Sequence, residues 1–134
     1  MLYEDCPRPD LNGACDRLEE LINIIINSGV DVSEAFPPTD SQAYRFAREL
    51  SHARSNIIVR AIDQLRTVSK EEVERVYSLM EEAIQIDPNG LCNRGRTEEH
   101  LTFLSDTVGR YNPDLVPERY KHLIGQFNMN ELLS

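Results

Sequence analysis

Apolar residues recur at three- and four-residue spacing in five separate segments of this chain, and no segment keeps the strict alternation of a half-buried strand. The fold class this implies is all-α. At 134 residues the chain is one domain's worth, enough to bury roughly two-thirds of its unfolded surface around one core. Neither a repeat nor a low-complexity tract divides it, so a single helical domain over 1–134 is expected.

The first helix is expected over about 10–28, with Leu11, Cys15, Leu18, Leu21, Ile22 and Ile25 inward and Gly29 closing it in a left-handed conformation. Ile24 and Ile26 widen its apolar face, and that region is where a homodimer would close. Phe36-Pro37-Pro38 cannot continue a helix and marks an extended crossover, after which Thr39 or Asp40 can cap the next one. The second helix, about 41–66, is the longest. Its ridge is Ala43, Ala47, Leu50, Ile57, Ile58, Ala61, Ile62 and Leu65.

Ser69 followed three residues later by Glu72 is a capping box, which starts a third helix running to about 86. Val73, Val76, Tyr77, Met80, Ala83 and Ile84 face inward on it, leaving Glu71, Glu74, Ser78, Glu81, Glu82 and Gln85 outward. A fourth helix is expected over about 98–111 after Thr97, with Leu101, Leu104, Val108 and Tyr111 inward. Pro117 suits the first turn of a fifth, over about 117–130, with Tyr120, Leu123, Ile124 and Phe127 inward. Short connections favour antiparallel neighbours, so the expected architecture is an up-and-down four-helix bundle with the fifth helix packed across it.

Twenty-three acidic against fourteen basic side chains give a net charge of -9, which opposes nucleic acid and anionic lipid at long range. No aliphatic run approaches the roughly 20 residues of a membrane span. Two acids near Met1 are unlike a signal peptide, and three cysteines without a Cys-x-x-Cys pair make no disulfide framework; a reducing cytoplasm is the expected compartment. Cys15 falls on the apolar stripe, whereas Cys92 lies in a polar loop where a thiol can be exposed.

The charge is unevenly spread. The stretch 41–66 carries +3, which leaves -12 for the rest. Arg45, Arg48, His52 and Arg60 recur on one polar face with Glu49, Asn56 and Asp63, a pattern suited to phosphate, carboxylate or an acidic partner. Arg54 is also a candidate anion ligand but differs, because it interrupts the ridge between Leu50 and Ile57 and would need a carboxylate if buried. Arg94 and Arg96, in a glycine-bearing loop before a helix start, are further candidate anion ligands. His52, His100 and His122 lie on three different helices and no His-Glu-x-x-His motif occurs, so no metal site and no cofactor are expected. Two same-face pairs remain, Glu49 with His52 and Glu118 with His122.

No nucleotide loop, serine nucleophile elbow or dinucleotide fingerprint is present, and the adjacent glutamates lack any feature that would set one pKa apart from the other. The expectation is a non-enzymatic acidic interaction module, of the inhibitor, immunity or modulator kind, that docks on a protein with a basic surface. Glu71, Glu74, Glu81 and Glu82 are the expected contact residues. An alternative uses His52: a histidine on the long helix of a bundle resembles histidine phosphotransfer domains, although 52–56 lacks their lysine-glycine arrangement. Nucleic-acid binding through the arginines of the second helix is a further alternative, working against the net charge.

Overall fold

A computed structural model of the chain describes residues 10–33, 37–88 and 96–126. Among them are four α-helices and two short 3-10 segments, and no strand: α1 (Leu11–Ser28), α2 (Gln42–Asp63), α3 (Lys70–Ile86) and α4 (Arg96–Tyr111), then Pro113–Leu115 and Glu118–Leu123. The described residues form an all-helical fold. Cys6, Cys92, Arg94 and Phe127 lie outside the described residues, as does most of the loop that carries Arg94.

Each helix starts and stops for a local chemical reason. Asp10 caps α1 by accepting from the Gly13 N–H at 2.8 Å, and Gly29 ends it at φ 73°, the left-handed conformation that glycine adopts freely. Ser41 caps α2 through the Tyr44 N–H, not Thr39 or Asp40; its hydroxyl also donates to the Pro38 carbonyl, which fixes the entry from the proline crossover. The Ser69–Glu72 capping box of α3 is present in both directions.

Helix α2 stops at Asp63, earlier than its periodicity suggests, because 64–68 turns tightly on the Gln64 carbonyl. The Gln64 side chain then accepts from the Leu11 N–H at 2.6 Å. That bond joins the start of α1 to the end of α2, and Leu21 and Ile24 lie beside Glu49 near its other end, so the two helices run antiparallel. Helix α1 packs on α2 and α3, and α4 packs on both α2 and α3.

The core takes Leu18, Ile22 and Ile25 from α1, Leu50 and Ile57 from α2, Val76, Tyr77 and Met80 from α3, and Leu104 and Val108 from α4. Ala14, Phe46, Ala53 and Leu79 join it beyond the expected ridges, while Ala43, Ile62, Leu65 and Ile84 are only partly covered. Tyr111 is turned outward at 51% exposure, since α4 runs past its last core contact at Val108. Ile24 and Ile26 are 48% and 61% exposed. They flank buried Ile25 by about 100° on either side, so they stand on opposite shoulders of α1.

In the described part of the expected fifth α-helix, 117–126, the chain forms the 3-10 segment Glu118–Leu123 instead, and Pro113–Leu115 precedes it across Val116 and Pro117. Extended backbone at Pro117 (ψ 146°) and a left-handed Gly125 (φ 86°) leave room for only two tight turns between them. This strap lies against α4 and α3: Val116 is fully buried, and Ile124 sits over Gly109. A Cβ at Gly109 would lie 2.5 Å from Ile124 Cγ1 and 2.7 Å from its Cδ1. Gly109→Ala is therefore expected to destabilise by about 1 kcal/mol net, overpacking outweighing the gain in helix propensity. Adding Ile124→Ala should return the propensity gain; thermal midpoints of the two variants check both signs.

Candidate functional site

The outward stripe of α3 is partly occupied. Glu74 and Glu81 lie seven residues apart, two turns along one face, and Arg119 of the strap reaches both. Its Nε and Nη2 donate to the two oxygens of Glu81 at 3.1 and 3.0 Å, and its Nη1 donates to Glu74 at 2.9 Å. The Tyr120 hydroxyl donates to the same Glu81 carboxylate at 2.7 Å, and the Tyr120 ring lies 5.3 Å from the Arg119 guanidinium carbon. These bonds hold the Glu81 carboxyl below its usual range, the Arg119 bond being the main cause, and push Arg119 upward. Of the four expected contact acids, Glu71 and Glu82 are exposed and without an ion pair among the described residues, whereas Glu74 and Glu81 are engaged.

Behind this cluster Tyr120 packs on Tyr77 with ring centroids 4.7 Å apart, and the buried Tyr77 hydroxyl shares a 2.7 Å hydrogen bond with Ser105. Burial pushes both phenols up to about 12, and the hydrogen bond to Glu81 adds to the shift at Tyr120. Because the folded chain favours the neutral phenols, their contribution to stability is complete below pH 10 and is lost as pH rises from about 10 to about 12. A tyrosinate absorbance titration should show Tyr77 and Tyr120 ionising late, together with alkaline unfolding. Early ionisation of these two would contradict the packing.

The α1 side of α3 carries a second acidic group, in which Arg75 bonds Asp16 at 2.7 Å and lies 3.8 Å from Glu19. Beneath it Cys15 is buried, and its thiol is pushed up to about 11 chiefly by that burial, so it stays protonated at neutral pH.

The polar face of α2 divides. Arg45, Arg48 and His52 are exposed, and the two arginines form no ion pair among the described residues. His52 lines an open hollow of about 490 Å³ with Arg17, Glu49, Ala53 and Asn56. Arg60 does not belong with them: its side chain is largely covered and it donates to Asp63 at 3.4 Å. Arg54 is not a surface ligand either. It is 1% exposed, burial depresses its pKa, and the opposing influence is the charge of Asp87, itself fully buried at the end of α3. Arg54 Nε and Nη1 have no hydrogen-bond acceptor among the described residues.

Arg96 opens α4, away from the cations of α2 in sequence. The Glu118 and His122 pair is also undone, since Glu118 accepts from Lys121 at 2.8 Å. Among the described residues no three metal-ligating side chains converge, and no helix is long and apolar enough to cross a membrane. Sequence reasoning missed Arg119, Tyr120 as a carboxylate partner, and Asp106, whose carboxylate accepts from the Gly125 N–H at 2.6 Å and from Arg110. Apart from Arg110, four residues from Asp106, their partners lie 19 to 45 residues away, so no local spacing could have signalled them. No family model, curated protein or solved structure matches this chain.

Proposed function

We propose that the chain is a non-enzymatic interaction module, an up-and-down helical bundle whose acidic α3 face docks on a protein with a basic surface, in the manner of an inhibitor, immunity protein or modulator. The observation that carries this reading is that Glu71 and Glu82 stay exposed and unpaired among the described residues, on a helix with five carboxylates against two cations. Like charges held in fixed register on a rigid helix steer and orient an oppositely charged partner. A reducing cytoplasmic setting is part of the reading, and the buried Cys15 thiol suits it.

The test is anisotropy of a fluorescent nona-arginine peptide titrated with the full chain at low salt. Glu71→Lys with Glu82→Lys should weaken binding about tenfold, and added salt should weaken the parent steeply. Unchanged affinity in the charge-reversed chain would sink the acidic-face reading. Affinity purification from the native host would then identify the partner.

A second reading is favoured by one observation: His52 is exposed on the longest helix, with Arg48 one turn before it and Arg17 across the hollow. These cations suit a phosphoryl group carried by the imidazole. Incubation with a phosphorylated receiver domain should leave acid-labile phosphate on His52, and its absence removes this reading.

A further inference from the structure

We propose that Glu74 and Glu81, with Tyr120 beside them, form a seat for one guanidinium, that Arg119 is its resident occupant, and that an arginine of a basic partner exchanges with it. The inference rests on the acidic-face reading and names the chemistry by which that face would recognise its partner.

Three features make this a seat and not a chance surface pair. Both edges of the guanidinium are used, the Nε/Nη2 edge by two oxygens of Glu81 and Nη1 by Glu74, a fork that lysine cannot match. The Tyr120 hydroxyl fixes the same Glu81 carboxylate independently, so the acceptor stays oriented when a guanidinium leaves. The ring of Tyr120, backed by Tyr77, supplies a π face beside the cation.

The occupant is free to exchange. The strap is held by groups other than Arg119: buried Val116, Ile124 over Gly109, and the Gly125 N–H on Asp106. The Arg119 side chain is 42% exposed and can swing into water while those anchors stay in place. An exposed ion pair contributes little net stability, so an incoming arginine that also contacts Glu71 or Glu82 can displace it. Arg119 thus lowers the affinity of the face for basic partners and selects those that present arginine.

The same peptide titration separates this inference from the reading beneath it. Arg119→Gln should bind nona-arginine about fivefold more tightly than the parent, the upper range for an exposed ion pair. It should prefer that peptide to nona-lysine. Adding Glu74→Gln and Glu81→Gln should abolish the gain. Lys121→Gln removes the same charge two residues away and should change affinity less than about twofold. Equal gains in Arg119→Gln and Lys121→Gln, or no gain while the parent binds, overturn the seat and leave the acidic face standing. Failure of parent and Arg119→Gln alike to bind overturns both. In the unmodified chain, the Arg119 Nε–H resonance should move toward that of free arginine as peptide is added; no movement at saturation overturns the exchange even if a variant folds poorly.

Discussion

Tyr77→Ala is expected to lower the free energy of unfolding by about 3–5 kcal/mol, measured as a lower urea midpoint at an unchanged slope. Tyr77 is fully buried and is among the largest side chains in the core. Truncating it opens a cavity between α3 and α4, removes the ring on which Tyr120 packs, and strands the Ser105 hydroxyl, which is also fully buried. Tyr77→Phe isolates the polar part: the ring stays, Ser105 loses its partner, and the expected cost is about 1–3 kcal/mol. Combining Tyr77→Phe with Ser105→Ala removes both ends of the bond and should recover much of that loss. A Tyr77→Ala cost under about 1 kcal/mol would contradict the close packing.

Asp87→Asn is expected to destabilise the fold by about 3 kcal/mol, the lower edge of what breaking a buried charge pair costs. Arg54 is buried at 1% exposure and Asp87 is the opposing charge that acts on it, while no hydrogen bond holds the Arg54 Nε or Nη1 among the described residues. Neutralising Asp87 leaves the guanidinium with its desolvation penalty and without that compensation. Arg54→Met keeps the long apolar stem but leaves the fully buried Asp87 without the Arg54 charge, so it should cost a similar amount, about 3 kcal/mol. The double variant Arg54→Met with Asp87→Asn should be more stable than Asp87→Asn alone. Strict additivity of the two single effects would show that the charges do not couple.

Both results bear on what the amino-acid order reveals. Apolar spacing singled out Arg54 because it interrupts a ridge, whereas its burial, which removes it from the candidate anion ligands, was decided by the fold. The inward faces of α1 and α3 were legible from the same spacing, and Gly29 and the Ser69–Glu72 box act within a single turn of chain. Tyr111 misled because an apolar residue at the margin of a stripe is covered only if a neighbouring element reaches it, and none does fully here. Arg60 looked free on a polar helix face until the fold covered most of its side chain.

The expected contact acids show the same division more sharply. Glu71, Glu74, Glu81 and Glu82 are equivalent as a pattern on a helix. Only the fold distinguishes them, by laying the strap across two of the four and inserting Arg119, 38 residues from Glu81 and 45 from Glu74.

Amino-acid order by itself determined the all-helical class, the starts of α1 and α3, most of the inward residues and the separation of cationic α2 from acidic α3, because periodicity, capping and charge act over a few residues. Tertiary structure alone decided that Pro113–Leu115 and Glu118–Leu123 form 3-10 turns, that Glu74 and Glu81 share one guanidinium, and that Arg54 answers to Asp87. Those outcomes depend on which distant groups arrive at the same place, and side-chain spacing along the chain carries no record of that.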